Sequence, residues 1–279
     1  MKKVFCILIL VSVVLSFGFS SSEAKTLKDI IDSGKIVIGV KGDFPPWGVI
    51  NPQGQFEGWE IDLCRKLAEY LFGDPGKVEF VAVAGGSRIP FIQAGKIDII
   101  WSTLGWTEKR QKVIDYSIPY FSSGSQLLVK KNSPIKDLED LDGKTVIVMP
   151  GSIPAQELAK IVPGARQLKL SKTTESLQAL RDGRGVAYAQ ADLFLAEIAR
   201  DNPEFEVAGR LYAPEWWGVG IRKGEDDIKA FVNLAIKQMY ETGYLKESLI
   251  KWWQGQSLEY ITNLVEDIYT KGTSAYFQK

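Results

Sequence analysis

The chain has 279 residues, 45% of them hydrophobic, and its 34 basic side chains balance 34 acidic ones. That balance excludes a nucleic-acid-binding surface or an anionic-membrane-binding face built on net positive charge. The complete lack of histidine removes Ser-His-Asp and Cys-His catalysis and most zinc chemistry.

In chain order, residues 1–24 read as a secretory signal peptide. Lys2 and Lys3 precede the apolar run from Val4 to Phe19, and Ser22-Glu23-Ala24 offers the small residues a signal peptidase needs. The run is short for a membrane span of about 20 residues, and Gly18 sits near its end, so cleavage is favoured over anchoring. Cys6 lies inside the run and no lipidation-type cysteine follows it, so the expected mature chain is soluble and begins at Lys25. Cys64 alone then remains. It permits no intramolecular disulfide and reads as a buried thiol on an apolar helical face.

"KIVIGV" (35–40) is a predicted strand, "GWEIDLCRKLAEYLF" (58–72) a helix and "KVEFVAV" (77–83) a second strand. "RIPFIQAGK" (88–96) follows as a short helix, "IDIIW" (97–101) as a strand, and "TEKRQKVID" (107–115) as a segment capped by Thr107. A second round gives strands at 126–131, 145–149, 167–170 and 186–190, with helices at 154–162, 174–183 and 192–201. "GVGIRK" (218–223) is a further strand, helices at 226–243 and 244–253 follow, and Leu258, Ile261, Val265 and Ile268 space out a last amphipathic helix.

Alternating strands and helices predict an α/β fold with mostly parallel sheets flanked by helices. Two rounds predict two lobes with one cleft at facing strand ends. "SIPYFSSGS" and "YAPEWWG", rich in Pro, Gly and Ser, read as paired irregular crossovers between them. The segment "STLGWTEKRQK" (102–112) brings Arg110 to a sheet rim, where a guanidinium needs an anion; a surface arginine in a helical pair is the plainer alternative.

Several phrases together resemble the bacterial extracellular solute-binding proteins of family 3, the amino-acid receptors of ABC importers. They are "FPPW" (44–47), "GWEIDL" (58–63), "RIPFIQAGKIDII" (88–100), "TEKRQKVIDYSIPYF" (107–121), "LLVKK" (127–131), "GVGIRKG" (218–224) and "KWW" (251–253). The resemblance implies a periplasmic two-lobe clamp of the type II binding-protein fold. Residues 25–120 and 218–255 would form lobe 1, and 124–213 lobe 2. Hinges would lie near 120–124 and 213–217, followed by a helical tail over 256–279. It implies a monomer that captures an amino acid for an inner-membrane ABC permease, with no cofactor or metal; the two candidate arginines, Arg88 and Arg110, favour an acidic or polar ligand, and the charge balance no nucleic acid.

The resemblance also implies roles for residues. Arg110 would take the α-carboxylate by two parallel bonds. Arg88 would meet the ligand's side chain, or salt-bridge a lobe neighbour. Thr103 resembles the family's donor at the rim, whereas Gly105 replaces a threonine found in many members and Gly85 an aromatic. In "PGSIPAQEL", Gly151 allows close approach, and Ser152 caps a helix whose N-terminus suits a carboxylate. Ile153 stands where the family usually has a second hydroxyl. Asp192 would receive the α-ammonium or serve as an N-cap, since the family's aspartate falls on Ala191. Trp47 and Trp101 would wall the pocket or belong to the core, and Asp43 and Glu60 stand at the rim. The same fold also carries cyclohexadienyl dehydratase. Leu195 stands where that enzyme's acid is expected, and Glu197 faces elsewhere by helical phase. A third alternative is a module that presents its ligand to a separate sensor.

Overall fold

The computed structural model describes residues 25–253 and 255–270; the expected signal segment, with Cys6, and the last nine residues of the tail lie outside them. In chain order the elements are α1 (Leu27–Ser33), β1 (Ile36–Val40), β2 (Asp43–Phe44), β3 (Gly48–Ile50), β4 (Phe56–Glu57), α2 (Trp59–Phe72), β5 (Val78–Ala82) and α3 (Arg88–Gln93). Then come β6 (Ile99–Ile100), α4 (Glu108–Gln111), β7 (Ile114–Lys130), β8 (Thr145–Val148), α5 (Ile153–Ile161), β9 (Arg166–Lys169), α6 (Thr173–Arg181), β10 (Ala187–Ala191) and α7 (Asp192–Asp201). The chain finishes with β11 (Phe205–Arg222), α8 (Asp226–Glu241), α9 (Tyr244–Trp252) and α10 (Gly255–Thr270).

Eight strands share one hydrogen-bonded order, β5-β1-β6-β11-β7-β10-β8-β9, and β2, β3 and β4 form a small separate sheet. At one end β1 pairs in parallel with β5 and β6; at the other β8 pairs in parallel with β9 and β10. Between them β7 and β11 form a long antiparallel ribbon, from Phe205 opposite Lys130 to Arg222 opposite Ile114. Each parallel triplet therefore borrows one end of the same ribbon. This is why two α/β halves share a single sheet path.

The ribbon corrects one sequence expectation. "SIPYFSSGS" and "YAPEWWG" are not irregular; they are the middles of β7 and β11. Pro119, Gly124, Pro214 and Gly218 read as breakers. The pairing absorbs them through register shifts between Ala208 and Tyr212, Tyr212 and Glu215, and Trp217 to Gly220, where a bulge leaves backbone groups out of the ladder. Conversely, "TEKRQKVID" forms only the four-residue α4, because Ile114 already belongs to β7.

Trp47, Trp59, Phe121, Trp217 and Trp253 are each at most 1% exposed and make one aromatic cluster. Ile261, Val265 and Ile268 of α10 are buried, as the tail's spacing predicts. Tyr269 stacks on Tyr240 at 3.9 Å between ring centres. Cys64 is a free, fully buried thiol that burial pushes well up from its ordinary pKa. Among the described residues no helix is long and apolar enough to cross a membrane.

Candidate functional site

A pocket lies where the carboxyl ends of the two parallel triplets face each other. Lys41 directly follows β1 and Met149 directly follows β8, while Thr103 follows β6 and Gln190 sits near the end of β10. Four expected site residues meet there: Arg110, Arg88, Thr103 and Ser152.

Arg110 is buried at the end of α4, whose N-cap Thr107 accepts the Arg110 N–H. Its guanidinium donates to the Gly105 carbonyl at 2.5 Å and to the Gly151 carbonyl at 2.7 Å. It thus ties the rim loop after β6 to the turn after β8. Gly151 has a φ of +73°, and a Cβ there would lie 3.1 Å from the Gly86 Cα. Only a residue without a side chain lets the two halves approach so closely. Ser152 caps α5 by accepting the Ala155 N–H and donates its own hydroxyl proton to the Met149 carbonyl at 2.8 Å.

Thr103 has a φ of +45°, an unfavourable region for a β-branched residue. Two buried charges hold it there. Its N–H donates to Glu60 Oε1 at 2.9 Å, and its carbonyl accepts from Arg88 Nη1 at 3.1 Å. The same Arg88 nitrogen donates to the Ser102 carbonyl at 2.5 Å, while Arg88 Nε finds no partner. Burial, then the charge of Arg110, weighs against the Arg88 cation.

Sequence reasoning missed Lys41 and Glu215. Lys41 is 3% exposed, with its ammonium 3.6 Å from the Met149 sulfur and 5.3 Å from the centre of the Phe44 ring. A thioether and a π-face are weak partners for an ammonium. Burial, aided by Arg88, lowers its pKa to about 8. Glu215 lies in the middle of β11 and is, among the described residues, the one carboxylate lining the cavity; desolvation pushes it up to about 7 against the pull of Arg110.

Other expected site residues lie outside this cavity. Trp47 and Trp101 are fully buried in the core, Trp101 against the Tyr120 ring at 5.4 Å. Asp43 faces α6: its carboxylate accepts the Thr173 N–H at 3.1 Å, and its carbonyl accepts the Thr173 hydroxyl at 2.9 Å. Asp192 opens α7, and its Oδ1 accepts from the Ser123 hydroxyl at 2.8 Å and the Gly124 N–H at 3.2 Å, both in β7. Glu60 is not at the solvent rim but fully buried beneath Thr103, and it also accepts from the Tyr120 hydroxyl. On α7, Leu195 is in the core and Glu197 pairs with Arg200. Among the described residues no cluster of acidic and sulfur side chains is arranged to hold a metal ion.

Fully buried Glu60 and half-buried Glu215 give a pH dependence. Burial raises the Glu60 carboxyl from 4.5 to about 7, and that of Glu215 likewise to about 7. An acid with a raised native pKa contributes stability that is fully present below its unfolded pKa and is lost as pH rises through the native value. The thermal midpoint of the ligand-free protein is therefore expected to fall between pH 4.5 and 7, the window these two shifts set. Glu60→Gln should flatten that slope, as read by calorimetric melting across pH. A midpoint that rises through this interval would contradict the assignment. The Lys41 shift acts above pH 8, outside the window.

Residues 36–255 match the model of a family described as bacterial extracellular solute-binding proteins, family 3. The chain is 35% identical over 266 residues to the ABC transporter glutamine-binding protein GlnH of Bacillus subtilis, covering 90% of this chain and 97% of that one. It is 30% identical over 241 residues to the L-glutamate/L-aspartate-binding protein of Pseudomonas aeruginosa, covering 82% and 80% respectively. The crystal structure of a solute receptor for L-cysteine from Neisseria gonorrhoeae superposes with a TM-score of 0.79 at 35% identity, covering 82% of this chain and 93% of that one.

Proposed function

Because the chain belongs to the bacterial extracellular solute-binding proteins of family 3, we propose that it is a periplasmic receptor that closes two lobes over one acidic or polar amino acid and delivers it to an inner-membrane ABC importer. The observation that carries the ligand class is the meeting of Lys41, Arg88 and Arg110 on one cavity with a single lining carboxylate. Three cations taken from water with one acid among them favour an anionic guest, since each buried charge needs a counter-charge. Arg110 suits the α-carboxylate, because a planar guanidinium fixes both the distance and the angle of a carboxylate. Lys41 and Arg88, on the strand-end side, suit the polar or acidic end of the ligand's side chain. The relatives named for glutamine, for glutamate and aspartate, and for L-cysteine support a small polar amino acid.

The lobes are 25–120 with 218–255, and 124–213; the register shifts of the central ribbon near Trp217 support a hinge at 213–217. Closure of such lobes needs no catalytic step, and α7 offers the core residue Leu195 where an enzyme of this fold would carry its acid. Calorimetry against the twenty amino acids tests the proposal. Tight binding of L-glutamate, L-glutamine or L-cysteine, with L-arginine and L-lysine excluded, is the expected result. A preference for the basic amino acids would overturn the ligand class. Turnover of prephenate or arogenate would replace transport with catalysis.

A further inference from the structure

We propose that Glu215, carried by the central ribbon, receives the α-ammonium group of the bound amino acid, in place of a carboxylate at the start of α7. The inference rests on the amino-acid reading above and names the residue that would complete it. A zwitterion needs an acceptor beside Arg110, and Glu215 is the carboxylate that lines the cavity. Asp192 is engaged elsewhere, with Oδ1 taking both the Ser123 hydroxyl and the Gly124 N–H. Gln190, the nearest polar side chain of β10, is occupied by Tyr188 and by the Ala191 N–H at 3.0 Å.

The local backbone aims Glu215 at the right place. Trp106 N–H donates to the Trp216 carbonyl at 3.0 Å, Gly218 N–H donates to the Leu104 carbonyl at 3.2 Å, and Gly105 bridges Trp217. This short pairing sets residue 217 opposite residue 105 and holds Glu215, two residues earlier on the same strand, beside it. A Cβ at Gly105 would overlap the Glu215 Oε2 and come within 2.6 Å of Ile153 Cδ1. Gly105 is not among the glycines of positive φ, so its missing side chain serves space and not backbone shape. The carboxylate occupies that space.

Arg110 donates to the carbonyl of the same Gly105. Two opposite charges thus flank one residue, yet no ion pair within 4.0 Å joins Glu215 to Arg110, Arg88 or Lys41. A guanidinium bonded to neutral carbonyls beside a half-buried carboxylate with which it forms no ion pair is a costly arrangement. A molecule whose carboxylate and ammonium hang from one carbon relieves it by entering between them. Its carboxylate takes the guanidinium and its ammonium donates to Glu215.

The test pairs each amino acid with its deaminated counterpart: L-glutamate with glutarate, L-glutamine with glutaramate, L-cysteine with 3-mercaptopropionate. Calorimetry on the wild type, Glu215→Gln and Asp192→Asn reads the affinities. Removing one partner of a buried charged contact in Glu215→Gln should weaken the amino acid by about 100-fold while leaving the deaminated counterpart within about threefold of wild type. Asp192→Asn should keep the wild-type preference for the amino acid. Gly105→Ala, which displaces the carboxylate without removing it, should reproduce the Glu215→Gln pattern. Glu215→Gln that binds both ligands as wild type does, that loses both alike, or an Asp192→Asn that erases the preference overturns the assignment and leaves the amino-acid reading standing. A wild type silent to all twenty amino acids overturns that reading and the assignment with it.

Discussion

Arg110→Ala is expected to weaken amino-acid binding by at least about two orders of magnitude, the cost of leaving a desolvated carboxylate without its charged partner. The loss has two sources. In the proposed reading the planar guanidinium grips the ligand's carboxylate. It also spans the cleft by donating to the Gly105 and Gly151 carbonyls, so alanine leaves both acceptors and the ligand unpaired. Arg110→Lys should recover only part of the loss, since an ammonium is a point donor and cannot reproduce the fork. Calorimetry with L-glutamate, L-glutamine and L-cysteine measures the affinity, and circular dichroism checks that the fold survives. Tight binding that persists in Arg110→Ala would remove the residue from carboxylate recognition.

Trp47→Ala is expected to destabilise the fold by about 3–5 kcal/mol, the range for deleting a large aromatic from a packed core. Trp47 is fully buried, with ring centres 5.1 Å from Trp253, 5.6 Å from Phe44 and 5.9 Å from both Phe121 and Trp217. Its removal opens a cavity shared by segments from both ends of the chain, which cannot all collapse into it. Urea unfolding gives the stability and calorimetry the affinity. A variant with normal stability and lost affinity would make Trp47 a pocket wall and not a core residue. Its neighbour Phe44 does line the cavity and stacks on Phe194 of α7 at 3.6 Å. A modest affinity loss in Trp47→Ala, transmitted through Phe44, is consistent with the core role.

Much of the fold was legible because its signals are local. The helical spacing of Cys64, Leu67, Ala68 and Leu71, and the caps Thr107 and Ser152, each depend on residues within a few positions of one another. The ribbon was not legible. Pro119 and Gly218 signal a break when read singly, and only their pairing across the sheet turns the break into a register shift. Asp192 shows the same gap at the site. Its position before a helix is visible in sequence, but its engagement by Ser123 and Gly124, nearly seventy residues earlier, is not.

The sequence by itself determined the alternation of strands and helices, the absence of histidine chemistry, and the placement of Arg110 behind a strand end. Each is a property of composition or of neighbours along the chain. Only the tertiary structure decided which charges share the cavity. Lys41 reads as an ordinary lysine after a strand, and Glu215 as an ordinary acid in a Pro-rich stretch. Lys41 is buried against Met149 of the facing half, and the half-buried Glu215 carboxylate fills the space a Gly105 side chain would take. Desolvation and charge pairing depend on distance in space. One chain order leaves those distances open until both halves have folded onto the same ribbon.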